Sequence, residues 1–94
     1  MINKFIKKHL VISGKVQGVG FRYWMQNLAI NNNIVGWVKN KLSGDVEALI
    51  IGQEKEVQKL IKQCKIGPSS ATIQNIQIND YDQGYSKKGF NILQ

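Results

Sequence analysis

The chain has 94 residues, enough for one domain with a single modest core and too few for two. With one cysteine it cannot form an intramolecular disulfide or a multi-cysteine metal site, and no apolar run is long enough to span a membrane. The net charge of +7 favours anionic partners, although the lysines are scattered along the chain and we assign most of them to a solvated surface.

The first strand is predicted from Lys8 to Val16, preceded by residues 1–6 as a short leader of a single domain spanning 1–94. His9 lies on the opposite face of this strand from Leu10, so we expect it on the sheet surface and not in a catalytic site. The apolar run after the basic leader is too short for a signal peptide, which predicts a reduced, cytoplasmic compartment.

The other predicted elements follow in chain order. They are helices over Phe21–Asn31 and Glu54–Lys65 and strands over Ile34–Asn40, Val46–Ile51, Thr72–Asn79 and Phe90–Ile92. The apolar stripe of the first helix, which we assign to the core, is Phe21, Trp24, Met25, Leu28 and Ala29. Cys64 falls on the apolar stripe of the second helix and is expected to be an inert core residue. In the fourth strand the apolar positions switch phase between Ile73 and Ile76, which indicates a bulge.

This order of strands and helices predicts an α+β fold of the split βαβ type. We expect an antiparallel sheet with both helices on one face, the first strand in its interior and a short extra strand at the end of the chain.

A glycine-rich segment, residues 14–22, joins the first strand to the first helix and reads Gly-Lys-Val-Gln-Gly-Val-Gly-Phe-Arg. Backbone N–H groups of such a turn, together with the positive end of a helix, form a small anion site. Arg22 stands in the first helical turn, where its guanidinium can bind two oxygens of one phosphoryl group. The alternative is a surface arginine beside a turn that needs glycine only for its geometry. The glycine spacing fits neither a Walker loop nor a dinucleotide-binding turn.

Asn40 ends the second strand, in the segment Gly36-Trp37-Val38-Lys39-Asn40. An asparagine at a strand end can project into a site and orient a water molecule, because its amide offers both a donor and an acceptor. Taken alone, Asn40 is more typical of a turn residue.

Together these segments resemble the two sequence signatures of the acylphosphatase family. Residues 14–22 match the first signature position for position, and residues 36–40 with Gly44, Val46 and Gly52 match the second. The resemblance covers nearly the whole chain and implies the ferredoxin-like fold. Two departures are Asn33 and Ser43, where glycine and an acidic residue or asparagine are usual; neither is in the implied chemistry.

The resemblance implies hydrolysis of a small-molecule acyl phosphate to a carboxylate and inorganic phosphate, with no metal and no cofactor. Arg22 would bind the phosphoryl oxygens and Asn40 would place the attacking water. The backbone N–H groups around the same oxygens would be those of Lys15, Val16, Gln17, Gly18, Val19 and Gly20. We also expect phosphate to act as a competitive inhibitor, and the protein to be a monomer without membrane contact.

Two other functions are weighed against this one. A basic ferredoxin-like domain can bind RNA on its sheet through exposed aromatic residues, but Trp37 is the one candidate, so the sequence does not favour a nucleic-acid partner. A phosphate sensor that has lost turnover is disfavoured by the presence of both Arg22 and Asn40.

Overall fold

The computed structural model describes residues 4–94 as one five-stranded sheet with two helices packed on it. The elements in chain order are β1 (Phe5–Lys15), α1 (Phe21–Asn31), β2 (Val35–Asn40), β3 (Val46–Gln53), α2 (Glu54–Cys64), β4 (Thr72–Asp80) and β5 (Phe90–Ile92). The strand order across the sheet is β4-β1-β3-β2-β5, so β1 lies in the interior as predicted. Neither helix of residues 4–94 has the length and apolarity needed to cross a membrane.

The sheet is mixed, because β5 pairs with β2 in parallel while every other pair of strands is antiparallel. Since β4 and β5 occupy opposite edges, the segment 81–89 has to cross the sheet between them. The Tyr81 N–H donates to the Lys7 carbonyl at 3.2 Å, and the Tyr85 hydroxyl donates to the Gly36 carbonyl at 3.2 Å. Both contacts lie toward the Phe5 end of β1, so the crossing is at the far end of the sheet from Lys15.

The core lies between one face of the sheet and the apolar faces of both helices. Its fully buried side chains include Leu10, Ile12, Met25, Ala29, Val38, Val46, Ala48, Ile50, Val57, Leu60 and Cys64. Trp24 and Leu28, which the sequence assigned to the core, are half-buried and pack against it from the side. The reason is the helical period: Met25 and Ala29 are one turn apart and point at the sheet, and the two larger side chains flank that line.

β1 begins at Phe5, three residues earlier than the sequence predicted, because β3 extends to Gln53 and supplies a partner for it. Phe5 pairs with Gln53, and the Glu54 N–H donates to the Lys4 carbonyl at 2.8 Å. The assignment of residues 5 and 6 to a leader was therefore wrong, and residues 1–3 lie outside the described residues. The bounds of α1 and β5 are the predicted ones, and the remaining element ends differ by at most two residues, the range over which helix and strand ends are ordinarily uncertain.

The predicted bulge is confirmed between β1 and β4. Ser13 pairs with Asn75 and Gly14 with Ile73, which leaves Gln74 as the extra residue on β4. Gly14 has φ +131°, and a Cβ there would overlap the Thr72 carbonyl oxygen. Only glycine therefore allows the two strands to approach at the point where β1 leads into the loop.

Candidate active site

In the loop between β1 and α1, the sign of the backbone φ angle alternates from residue to residue. Gly18 and Gly20 have φ of +74° and +78°. Gln17, which precedes Gly18, and Val19, which lies between the two glycines, have negative φ. In such an alternation successive N–H groups turn toward a common point and form a concavity that attracts anions. Val16 anchors the start of this loop, because its side chain is buried in the core.

The N–H groups of this loop have no acceptor among residues 4–94. No backbone or side-chain oxygen there accepts from residues 16–20, and Gly20, the N-cap of α1, gives the helix no side-chain cap. The first intrahelical bond runs from the Trp24 N–H to the Gly20 carbonyl at 3.0 Å, so the N–H groups of residues 21–23 are also free. Lys15, by contrast, is the last residue of β1 and pairs with Thr72. The donors without an acceptor among residues 4–94 thus run from residue 16 into the first turn of α1, and a contribution from the Lys15 N–H stays a prediction.

Arg22 is the second residue of α1, where the helix is electropositive. Its side chain is half-buried and makes neither a hydrogen bond nor an ion pair with any residue in the described part of the chain. All five N–H donors of the guanidinium thus remain available for a ligand.

Asn40 lies at the same end of the sheet as the loop. It pairs with Val46 on β3, and Val46 pairs with Ile12 near the end of β1. Because strand side chains alternate, Asn40 shares a face with the buried Val38 two residues earlier, which is the face that the helices cover. The Asn40 amide has no hydrogen-bond partner among residues 4–94, so it is free to bind water.

Gln17 joins the loop to the hairpin that follows Asn40. Its side-chain Nε2 donates to the Lys41 carbonyl at 2.8 Å and to the Asp45 carbonyl at 2.9 Å. The sequence indicated a role for the Gln17 backbone alone. A side-chain role was missed because the two acceptors are backbone atoms 24 and 28 residues away, and no residue type in the sequence marks them.

The segments that form the site carry more basic than acidic residues, and they contain no histidine and no cysteine. Its basic side chains are Lys15, Arg22 and Lys41, and the nearby Asp45 carboxylate accepts from the Ser43 hydroxyl at 3.1 Å. His9 is on the helix-free face, where its Nε2 lies 2.7 Å from a Glu47 carboxylate oxygen, as a surface residue was expected to be. Within residues 4–94 no three His, Cys, Asp or Glu side chains are grouped closely enough to hold a metal ion.

The helix-free face of the sheet does not present a row of aromatic residues. Trp37 is half-buried, with the His9 ring edge-on at 6.2 Å and the Lys39 ammonium 5.6 Å from its ring centre. The central strands β1 and β3 offer no aromatic residue beside it, and their apolar residues Leu10, Ile12, Val46 and Ile50 face the helices and are wholly buried. Stacking of several bases, the usual mode of RNA binding on such a sheet, is therefore not supported.

The acylphosphatase family model matches residues 8–92, which include the loop, Arg22 and Asn40. The chain belongs to the acylphosphatase family. An acylphosphatase of Acidiphilium cryptum is 40% identical over 85 residues, which cover 90% of this chain and 92% of that protein. This membership places the chain among the hydrolases that act on acid anhydrides.

Solved acylphosphatase structures share the ferredoxin-like fold. The structure from Bacillus subtilis superimposes with a TM-score of 0.90 at 31% identity and covers 97% of this chain and all of its own. The structure from Coxiella burnetii gives a TM-score of 0.87 at 33% identity, covering 97% of this chain and 94% of its own. The fold class inferred from the sequence is thus confirmed, with β5 making the sheet mixed.

Proposed function

We propose that this protein hydrolyses the carboxyl-phosphate bond of a small acyl phosphate, yielding a carboxylate and inorganic phosphate. The observation that carries the proposal is the loop in which the sign of φ alternates. Among residues 4–94 its N–H groups from residue 16 to residue 23 have no acceptor, and the adjoining Arg22 has no partner. That set of donors suits a tetrahedral anion with several equivalent oxygens. Family membership points to the same chemistry.

In this proposal the loop and Arg22 hold the phosphoryl group. The backbone N–H groups bind its oxygens, and the guanidinium bridges two of them while balancing their charge. Negative charge on the equatorial oxygens persists through phosphoryl transfer, so fixed donors around them lower the barrier without having to titrate.

Asn40 positions the attacking water in line with the bond that breaks. A free amide on the helix-covered face at the end of β2 can accept from a water and hold it opposite the leaving carboxylate. No strong general acid is needed because a carboxylate is a good leaving group. This explains a site built without histidine, cysteine or a free carboxylate; we propose that the phosphoryl group itself takes the proton of the water.

Several further properties follow from this site. Phosphate should bind where the product leaves and so inhibit competitively, and neither a metal nor an organic cofactor is required. We propose that the protein acts as a monomer, since its exposed large apolar side chains are dispersed over different elements, and we retain the cytoplasm as the predicted compartment. Those side chains are Phe5, Tyr23, Ile30, Leu42, Ile66 and Ile78.

The direct test is hydrolysis of benzoyl phosphate in the presence of a chelator, with the wild type and single variants. Arg22→Ala is expected to lower kcat/KM at least about 10²–10³-fold, the usual result of removing one charge-stabilising group. Arg22→Lys keeps the charge but loses the planar pair of donors, so it should recover only part of that loss. Asn40→Ala is expected to abolish turnover while phosphate still binds.

Two exposed residues supply matched controls. Lys59→Ala removes one positive charge from the outer surface of α2, and Asn27→Ala removes one amide from the surface of α1. Both should keep wild-type kinetics. An Asn40→Ala protein that turns over at the wild-type rate would exclude the water-positioning role, and a wild type inactive on acyl phosphates would exclude the function itself.

A further inference from the structure

We propose that the Gln17 side chain is a positioning residue, which fixes the phosphate-binding loop against the strand end that carries Asn40. This inference rests on the proposed function for its kinetic consequence. Its structural basis, the contact between the loop and the β2–β3 hairpin, is independent of that function.

Gln17 donates to two carbonyl oxygens, those of Lys41 and Asp45, that each already accept one hydrogen bond within the hairpin. The Lys41 carbonyl accepts from the Gly44 N–H at 3.1 Å, and the Asp45 carbonyl accepts from the Lys41 N–H at 2.8 Å. Each carbonyl oxygen has two lone pairs, and Gln17 Nε2 takes the second one on both, at 2.8 and 2.9 Å. Gln17 thus binds both ends of the turn at once.

The chemistry of the partners settles which end of the amide faces the hairpin. Two backbone carbonyls can only accept, so the NH₂ group must face them, and both of its hydrogens are used. No other side chain of residues 15–20 bonds to the hairpin. Val16 anchors the loop to the core, and Gln17 anchors it sideways to the strand that ends at Asn40.

This sideways anchor has a catalytic consequence. The loop sets the position of phosphorus, and the end of β2 sets the position of the water that Asn40 orients. Neither segment is rigid by itself. The loop contains two glycines of positive φ, and β2 is followed by an exposed hairpin turn, Leu42–Gly44, so the backbone of both can shift. A displacement of about 1 Å between nucleophile and target can lower a rate about 10²-fold. We therefore expect loss of the Gln17 bonds to lower kcat and to leave phosphate affinity nearly unchanged, since the loop N–H groups themselves remain.

The test compares the wild type with Gln17→Met, which keeps the length of the side chain and removes both donors. Steady-state hydrolysis of benzoyl phosphate should show kcat lowered about 10- to 100-fold. The inhibition constant for inorganic phosphate should stay within about threefold of the wild type, because the loop N–H groups that bind phosphate remain. A change of about threefold corresponds to less than about 1 kcal/mol of binding free energy.

The matched control is Asn32→Leu. It removes an amide-to-carbonyl bond of 2.8 Å, from Asn32 Nδ2 to the Leu28 carbonyl, at the far end of α1. Asn32→Leu should lose a comparable part of the folding stability and keep the wild-type kcat. The proposal is overturned if Gln17→Met keeps the wild-type kcat, if phosphate affinity falls by the same factor as kcat, or if both variants lower kcat equally.

A second measurement does not depend on turnover. Backbone amide exchange followed by NMR in the ligand-free protein should show faster opening of the Lys41–Asp45 hairpin in Gln17→Met than in Asn32→Leu. Unchanged hairpin exchange in Gln17→Met would overturn the structural tie. Faster exchange together with a wild type that hydrolyses no acyl phosphate would leave the tie in place and contradict the proposed function instead.

Discussion

Cys64 lies on the buried face of α2, and burial raises the pKa of its thiol to about 12. The thiolate is the reactive form of cysteine, so at neutral pH this side chain is a neutral, apolar filler of the core. This agrees with the position that the apolar stripe of the helix predicts for it.

We therefore expect Cys64 in the native protein to resist a thiol-directed reagent such as DTNB at pH 8. It should react at the rate of a free thiol once the protein is unfolded in guanidinium chloride. Modification should follow global unfolding, because the residue has no exposed surface in the folded state. Rapid labelling of the native protein would show that α2 opens locally from the sheet.

The residues of the proposed site differ from Cys64 in that they act through fixed charge and geometry. Arg22 and the loop amides do not need to titrate, and Asn40 cannot. The resemblance of residues 14–22 and 36–40 to the acylphosphatase signatures predicts these three contributions from the sequence. The side chain of Gln17 could not be assigned in this way, because its partners are carbonyl oxygens that every residue possesses.

At the level of elements, the junction of β1 with β4 fixes where the phosphate-binding loop begins. Gly14 sits opposite the bulge at Gln74, with its Cα against the Thr72 carbonyl. Two separate features of the sequence belong to this junction, a glycine at the end of one strand and a phase shift of the apolar positions in another. That these two features lie opposite each other follows from the register of β1 with β4, which cannot be predicted from either segment alone.

Gly14→Ala is accordingly expected to destabilise the protein by about 1–3 kcal/mol, the range for a residue held in a sparsely populated backbone region. The added Cβ would have to displace the backbone of β4. Gly84→Ala is the matched control, since a Cβ at Gly84 meets nothing within 4 Å and its φ is not in the left-handed region. Urea unfolding should place Gly84→Ala within about 0.5 kcal/mol of the wild type. Equal stability of the two variants would contradict the close approach of the strands.

At the level of the whole molecule, occupancy of the proposed site and folding stability should be linked. A ligand that binds only the folded state stabilises it by about 2.7 kcal/mol when present at one hundred times its Kd. For a domain of this size each kcal/mol raises the Tm by roughly 4–8 °C.

We therefore predict that phosphate at about one hundred times its Kd raises the Tm of the wild type in calorimetry by about 10–20 °C, relative to sodium chloride at the same ionic strength. Arg22→Ala should lose most of that increase, and Lys59→Ala should retain it. An equal increase in all three proteins would mean that phosphate acts on the surface charge in general, and a Tm unaffected by phosphate would contradict the anion site.

The sequence by itself determined the fold class, the order of the elements and the family, and it predicts the residues that meet the phosphoryl group. It could do so because these depend on local periodicity, on glycine and asparagine at turns, and on two signatures read along the chain. Asn33 illustrates the point: it stands where glycine is usual in the family, and asparagine is a residue that accepts the left-handed backbone it adopts after α1, with φ of +57°.

Only the tertiary structure decided which structural role each residue of the glycine-rich segment has. Gly14 serves the packing of β1 against β4, Val16 fills the core, and residues 16–20 carry N–H groups that have no acceptor among residues 4–94. Gln17 reaches across to the hairpin beside Asn40. These assignments depend on strand register and on contacts between residues far apart in the chain, which local sequence patterns do not specify.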